Sequence, residues 1–188
     1  MRKRRCLIKR KKGQIWIETV LYTLIALGVI ALALAFIQPK IKEAQDRIVI
    51  EQTQEALNRL DDEIQDIWRG GAGNVRNPEI TLKRGNLVID SQSDSISYVL
   101  EDSNVMFTEP GVSVIDGKIN ITTIKKSRGY QVILKLDYRF DNKIDITFED
   151  SDDTIETLTN SPTAYKLSLS NEGISGTNPR TIINIKII

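Results

Sequence analysis

With 188 residues, 21.3 kDa, 40% hydrophobic and 27% charged residues, the chain has room for one domain and an arm; it is neither a disordered tail nor a multi-span membrane protein. It contains no histidine and one cysteine, which excludes the Ser-His-Asp and Cys-His triads, the commonest general base and metal ligand, a disulfide framework and a cysteine-rich zinc site. The net charge of +1 averages two unlike parts: residues 1–13 carry eight of the 26 basic residues and no acidic one, while the rest holds 18 basic against 25 acidic residues. The acidic balance of the main body disfavours nucleic-acid binding by it.

After the basic start, Thr19 to Ile37 is an uncharged run of 19 residues. As a helix it is about 28 Å long, close to the ~30 Å hydrocarbon core of a bilayer. Eleven of its residues are Leu, Ile, Val or Phe, each favouring insertion by roughly 0.3–0.6 kcal/mol. The stretch is apolar all round, unlike an ordinary core helix. The positive flank predicts that residues 1–13 stay in the cytoplasm and that the C-terminal part lies outside, as a single-pass protein. A secretory signal peptide shares these features, and Ala31-Leu32-Ala33 or Ala33-Leu34-Ala35 nominally fits its small-residue cleavage pattern. Against that reading, the apolar segment is long, and Pro39 and an amphipathic helix follow directly. Glu18 stands at the edge of the run, where a carboxylate is costly and tends to be paired or functional.

Lys11-Lys12-Gly13-Gln14-Ile15-Trp16-Ile17-Glu18, followed by the apolar run, resembles the class III signal peptide of archaeal type IV pilins. Archaellins resemble it less well, being usually uncharged and richer in glycine and alanine at the mature start. The resemblance spans roughly residues 1–60. It implies that a prepilin peptidase cuts between Gly13 and Gln14 on the cytoplasmic side, that the apolar helix is retained, and that Glu18 is the fifth mature residue, an assembly residue. It implies a structural subunit of a type IV pilus-like surface filament. Its partners would be the prepilin peptidase, the membrane assembly platform, other copies of the chain, and the lipid bilayer before assembly. In such a filament the new N-terminal amine of one subunit can neutralise a neighbour's buried carboxylate, and breaking that pair would strand a charge. A minor pilin or pseudopilin, and an uncleaved signal-anchored extracellular binding domain, remain alternatives.

Beyond the run, Pro39 is expected to end or kink the helix. Ile50, Thr53, Leu57, Leu60, Ile64 and Ile67 then recur every three or four residues, a narrow helical seam. It would serve either a coiled coil or attachment to the chain's own domain. Glu43/Arg47, Glu55/Arg59 and Arg59/Glu63 are spaced for i, i+4 pairs, and Gly70, Gly71 and Gly73 stop the helix. Trp68 is expected at the junction of stalk and domain, and Trp16 at the membrane interface.

From Pro78 the period becomes two. Hairpins are predicted around Arg84-Gly85-Asn86 and Asp116-Gly117. Val132, Leu134, Leu136, Tyr138 and Phe140 share one strand face, as do Ile144, Ile146 and Phe148, then Tyr165, Leu167 and Leu169, then Ile183, Ile185 and Ile187. The expected fold is α+β: a long helix, transmembrane then amphipathic, followed by seven to nine antiparallel strands in a sandwich-like domain, a pilin-like lollipop. Its divisions are a leader over 1–13, an apolar assembly helix over 14–38, a stalk with its glycine stop over 39–73 and an extracellular β-domain over 74–188.

Chemistry is sparse. Glu149, Asp150, Asp152, Asp153 and Glu156 form an acidic run that could offer oxygen ligands to calcium, but it lacks the EF-hand pattern and reads as a solvated loop. Asn120-Ile121-Thr122 is an N-glycosylation sequon. No nucleophile–base pair stands out, so the chain is expected to be no enzyme, with no cofactor and no metal site.

Overall fold

The computed structural model describes residues 12–140, 142–174 and 179–188, with side chains from Trp16 onward. Most of the expected leader therefore lies outside the described residues, and of Gly13 and Gln14 only the helical backbone is described. The chain forms two compact units, Met1–Lys42 and Glu43–Ile188. The second takes in the later part of the expected stalk together with the β-domain.

A single helix, α1 (Lys12–Gly70), contains Pro39 and does not end there. Proline removes one N–H from the ladder, and the helical turns on both sides continue around the gap. Within the second unit the seam does its work against the chain's own sheets: Ile50, Leu57, Leu60, Ile64 and Ile67 are all at most 2% exposed and belong to one core with the strands. Thr53 is half-buried, its hydroxyl donating to Val49 O at 2.8 Å. The charge pairs are partly rearranged. Arg59 meets Glu55 at 3.2 Å, but Arg47 reaches Glu51 at 3.8 Å, and Glu63 reaches Arg76 at 3.6 Å.

The helix stops where its glycines predict. Gly71 has φ 79°, and the Asn74 side-chain amide donates to Gly70 O at 2.6 Å and Gly71 O at 3.0 Å. This satisfies carbonyls that have no helical partner. A Cβ on Gly70 would sit 2.8 Å from Asn74 Nδ2, so a larger residue there would push the capping amide aside. Asn171 Nδ2 donates to Ile67 O at 2.9 Å, tying the last turn to the sheet. Trp68 packs against the core, with Lys143 Nζ 5.4 Å from its ring centroid.

Eleven strands follow among the described residues: β1 (Val75–Arg76), β2 (Glu79–Ile80), β3 (Asn86–Asp90), β4 (Ser95–Ser103), β5 (Ser113–Asp116), β6 (Ile119–Lys125), β7 (Tyr130–Asp137), β8 (Ile144–Phe148), β9 (Ile155–Leu158), β10 (Tyr165–Ile174) and β11 (Thr181–Ile187). One sheet runs β1-β10-β11-β8, with β2 also on β10; the other runs β5-β6-β7-β4-β3-β9. The α+β architecture agrees with the expectation, but its pairing departs from it in three places. First, β8 pairs in parallel with β11, in a domain expected to be wholly antiparallel. The intervening β9 and β10 give the chain the length a parallel return needs. Second, Arg84-Gly85-Asn86 is no hairpin. β2 pairs with β10, and β3 with β4 and β9. The link crosses between sheets and places Leu82, 4% exposed, in the core. Third, Phe140 does not join Val132, Leu134, Leu136 and Tyr138 on the buried face. β7 ends at Asp137 and Phe140 is 85% exposed.

The β5–β6 hairpin forms where predicted, with its loop one residue later than Asp116-Gly117. Asp116 faces Ile119, so Gly117 and Lys118 are the two-residue loop, and Gly117 has φ 63°. A glycine with positive φ at the first loop position suits a tight hairpin turn.

Two buried aspartates on α1 bind the helix to the sheets. Asp61 accepts from Tyr138 Oη at 3.1 Å and pairs with Lys118 Nζ at 2.9 Å. Asp46, fully buried, accepts from the backbone and side-chain nitrogens of Asn104 at 2.7 and 2.8 Å and pairs with Arg84. Burial pushes the Asp46 carboxyl up, but the Asn104 and Arg84 contacts outweigh it and hold the group below the usual range. Asp46→Ala would leave the Asn104 donors unpaired, while half-exposed Arg84 could turn to water. A loss of about 1–3 kcal/mol is expected, read as a lower urea midpoint.

Candidate functional site

The most unusual surface belongs to the first unit. From Trp16 to Ile41 every described residue of α1 is exposed, including Leu21, Leu24, Ile25, Leu27, Val29, Ile30, Leu32, Leu34 and Phe36. An 18-residue window there has a mean hydropathy of 2.7 and no buried residue. Large apolar side chains on all sides of a helix need lipid or protein around them. By length and composition this helix can cross a membrane. Thr23 returns its hydroxyl to Val20 O at 2.8 Å, so this polar group is satisfied within the helix. Glu18 and Trp16 lie at the N-terminal edge of the span, and both are exposed.

The acidic run does not converge into one loop site. Asp150 accepts from Lys186 Nζ at 2.7 Å and pairs with Asn184, Asp153 accepts from Gln92, and Glu156 stands in β9. Asp152 alone joins two aspartates that local sequence did not single out, Asp94 and Asp145. Both of these are about 95% buried. The Arg180 guanidinium pairs with Asp94 and, through Nη2, with Asp145 Oδ1 at 2.7 Å. Asp94 Oδ1 also accepts Ile146 N–H at 3.0 Å. The cluster joins the β3–β4 loop to β8 and to the segment before β11, and Arg180 already supplies its cation. The residues stand 51 or more positions apart from Asp94, so spacing carried no signal; the positive φ of Asp94, 44°, marks its tight turn only in three dimensions.

Burial, then the hydrogen bond with Asp94, pushes the Asp145 carboxyl up from 3.8 to about 6, against the pull of Arg180. The charged groups acting on it are Asp94, Arg180 and Asp152. A raised folded value means that the native state holds the proton more tightly than the unfolded chain. The stabilisation is complete below about pH 4 and lost as pH rises through about 6. Asp145→Asn is expected to remove this dependence. The urea midpoint of the variant relative to the parent should climb from pH 4 to 7 by an amount equivalent to about 1–3 kcal/mol.

The sequon lies in β6. Asn120 is half-buried, and its neighbour Ile121 is 2% exposed in the core.

Together these features define an α+β protein with an N-terminal helix able to span a membrane and a second helical stretch built into the core of a two-sheet domain. The chain matches no family model, no curated protein and no solved structure.

Proposed function

We propose that this chain is a structural subunit of a type IV pilus-like surface filament, held in the membrane as a precursor with its β-domain outside. The observation that carries the reading is the run of α1 without interruption from Lys12 through the apolar segment and past Pro39 into residues packed in the β-domain core. A disposable signal peptide has no reason to continue as a helix that ends in the domain it exports. With Lys12-Gly13-Gln14 ahead of it and Glu18 four residues after Gln14, the segment suits removal of residues 1–13 by a prepilin peptidase at the cytoplasmic face. The membrane assembly platform then moves the helix from lipid into a bundle of copies, where its apolar surface stays buried. The chain works by assembly, not by catalysis, and needs no cofactor or nucleic acid.

Glu18 is the residue on which assembly turns, because a carboxylate within a packed apolar bundle must find a positive partner. Glu18→Ala is expected to leave processing intact, with a mature chain beginning at Gln14, and to reduce filament yield at least tenfold by electron microscopy and shear recovery. Gly13→Val is expected to leave the precursor uncut. N-terminal sequencing and intact mass of the membrane-extracted protein test the reading directly. A finished chain that retains Met1–Gly13 would mean a signal-anchored domain instead, and a soluble chain beginning beyond Phe36 would end both readings.

A further inference from the structure

We propose that Asn120 carries an N-linked glycan, and that the outward face of the β5-β6-β7-β4-β3-β9 sheet is therefore left to solvent when copies of the chain assemble. The proposal rests on the outward placement of the β-domain given above. A sequon alone is weak evidence, and the argument comes from where the fold puts it. β6 alternates from Ile119 to Thr123: Ile119 and Ile121 enter the core at 0% and 2% exposure, while Asn120 and Thr122 stand on the opposite face. Both residues a glycosyltransferase must read thus share the outer surface.

Asn120 is half-buried, and its Oδ1 is buried without a hydrogen-bond partner. A half-buried amide with an unsatisfied carbonyl is a net cost to a strand, so a residue kept only for the sheet would be better apolar or threonine. The cross-strand neighbours of Asn120 are Ile115 on β5 and Lys135 on β7. Ile115 is 74% exposed, a large apolar side chain beside the amide. The carbon face of a first sugar on Nδ2 would cover it, and the next sugars would meet the polar row of Thr122 and Ser113.

The reaction balances as a glycosyl transfer. Nδ2 attacks the anomeric carbon of a sugar borne on a lipid phosphate. The new N–C bond forms as the carbon–oxygen bond to phosphate breaks, the lipid phosphate departs with the bonding pair, and an amide proton passes to a base of the cell's membrane-bound transferase. In the folded domain the Thr122 hydroxyl shares a hydrogen bond of 2.8 Å with Ser113 Oγ on the same outer face.

Intact mass and peptide mapping of the chain purified from the cells that make it test the site. The expected result is a mass excess made of whole sugar units, confined to the peptide containing Asn120. The excess should be lost in Asn120→Gln and Thr122→Ala and kept in Thr122→Ser, with all variants retaining the circular dichroism of the parent. An Asn120 peptide recovered without sugar overturns the proposal, whatever the N-terminus. The N-terminus itself, Gln14 or Met1, reports on the filament reading separately, so the two can fail independently.

Discussion

A fragment comprising residues 43–188 is expected to be monomeric and soluble in water and to unfold in one cooperative transition, while the full chain requires membrane or detergent. Among the described residues, the second unit owns every residue of the buried core, including the α1 seam from Ile50 to Ile67. It also owns the polar anchors of Asp46, Asp61 and Asn171. The first unit contributes the exposed apolar run. Removing it deletes eleven strongly apolar residues, worth roughly 3–7 kcal/mol of membrane insertion at 0.3–0.6 kcal/mol each, and so shifts partitioning by at least about a hundredfold. Trp68 is the sole tryptophan left in the fragment. Its contact with the core makes its fluorescence a reporter of the transition during urea titration. A fragment that aggregates or lacks cooperative unfolding would show that the domain depends on residues before Glu43.

Ile64→Ala is expected to cost about 2–5 kcal/mol, since it leaves a cavity where the helix meets the sheets. Ile64 is fully buried, and it lies on the seam that a coiled coil would have exposed to a partner. With a urea dependence of about 2 kcal/mol per molar, the midpoint should fall by roughly 1–2.5 M. Ile48→Ala is the control: Ile48 is 51% exposed, and its loss should stay within about 0.5 kcal/mol. If the seam instead held two chains together, the effect of Ile64→Ala would vary with protein concentration. A concentration-independent midpoint is expected.

Much of the helix was legible because its signals are local. Insertion into lipid sums over neighbouring residues, and a helical face repeats every three or four positions, so the apolar run, the seam and the glycine stop could all be read in order. The β5–β6 hairpin was legible for the same reason, its turn lying between the strands it joins. The hairpin expected at Arg84-Gly85-Asn86 failed because glycine marks a turn without saying which strand the chain meets next. Of the two outcomes expected at Pro39, an end or a kink, the helix does not take the first: proline weakens a helix at one hydrogen bond, and the surrounding segment decides whether the helix continues. Phe140 kept the alternation of β7 on paper, but the strand had already ended.

The sequence by itself determined the α+β class, the membrane-length apolar helix with Glu18 at its edge, and the polarity of charge along the chain, all properties that neighbouring residues carry. Only the tertiary structure decided that the seam belongs to the chain's own core and that β8 runs parallel to β11. It alone brought Arg84 to Asp46 across 38 positions and Arg180 to Asp94 across 86. It also turned Asn120 and Thr122 outward together. These depend on which distant segments lose water to each other, and that is settled by the packing of the whole domain.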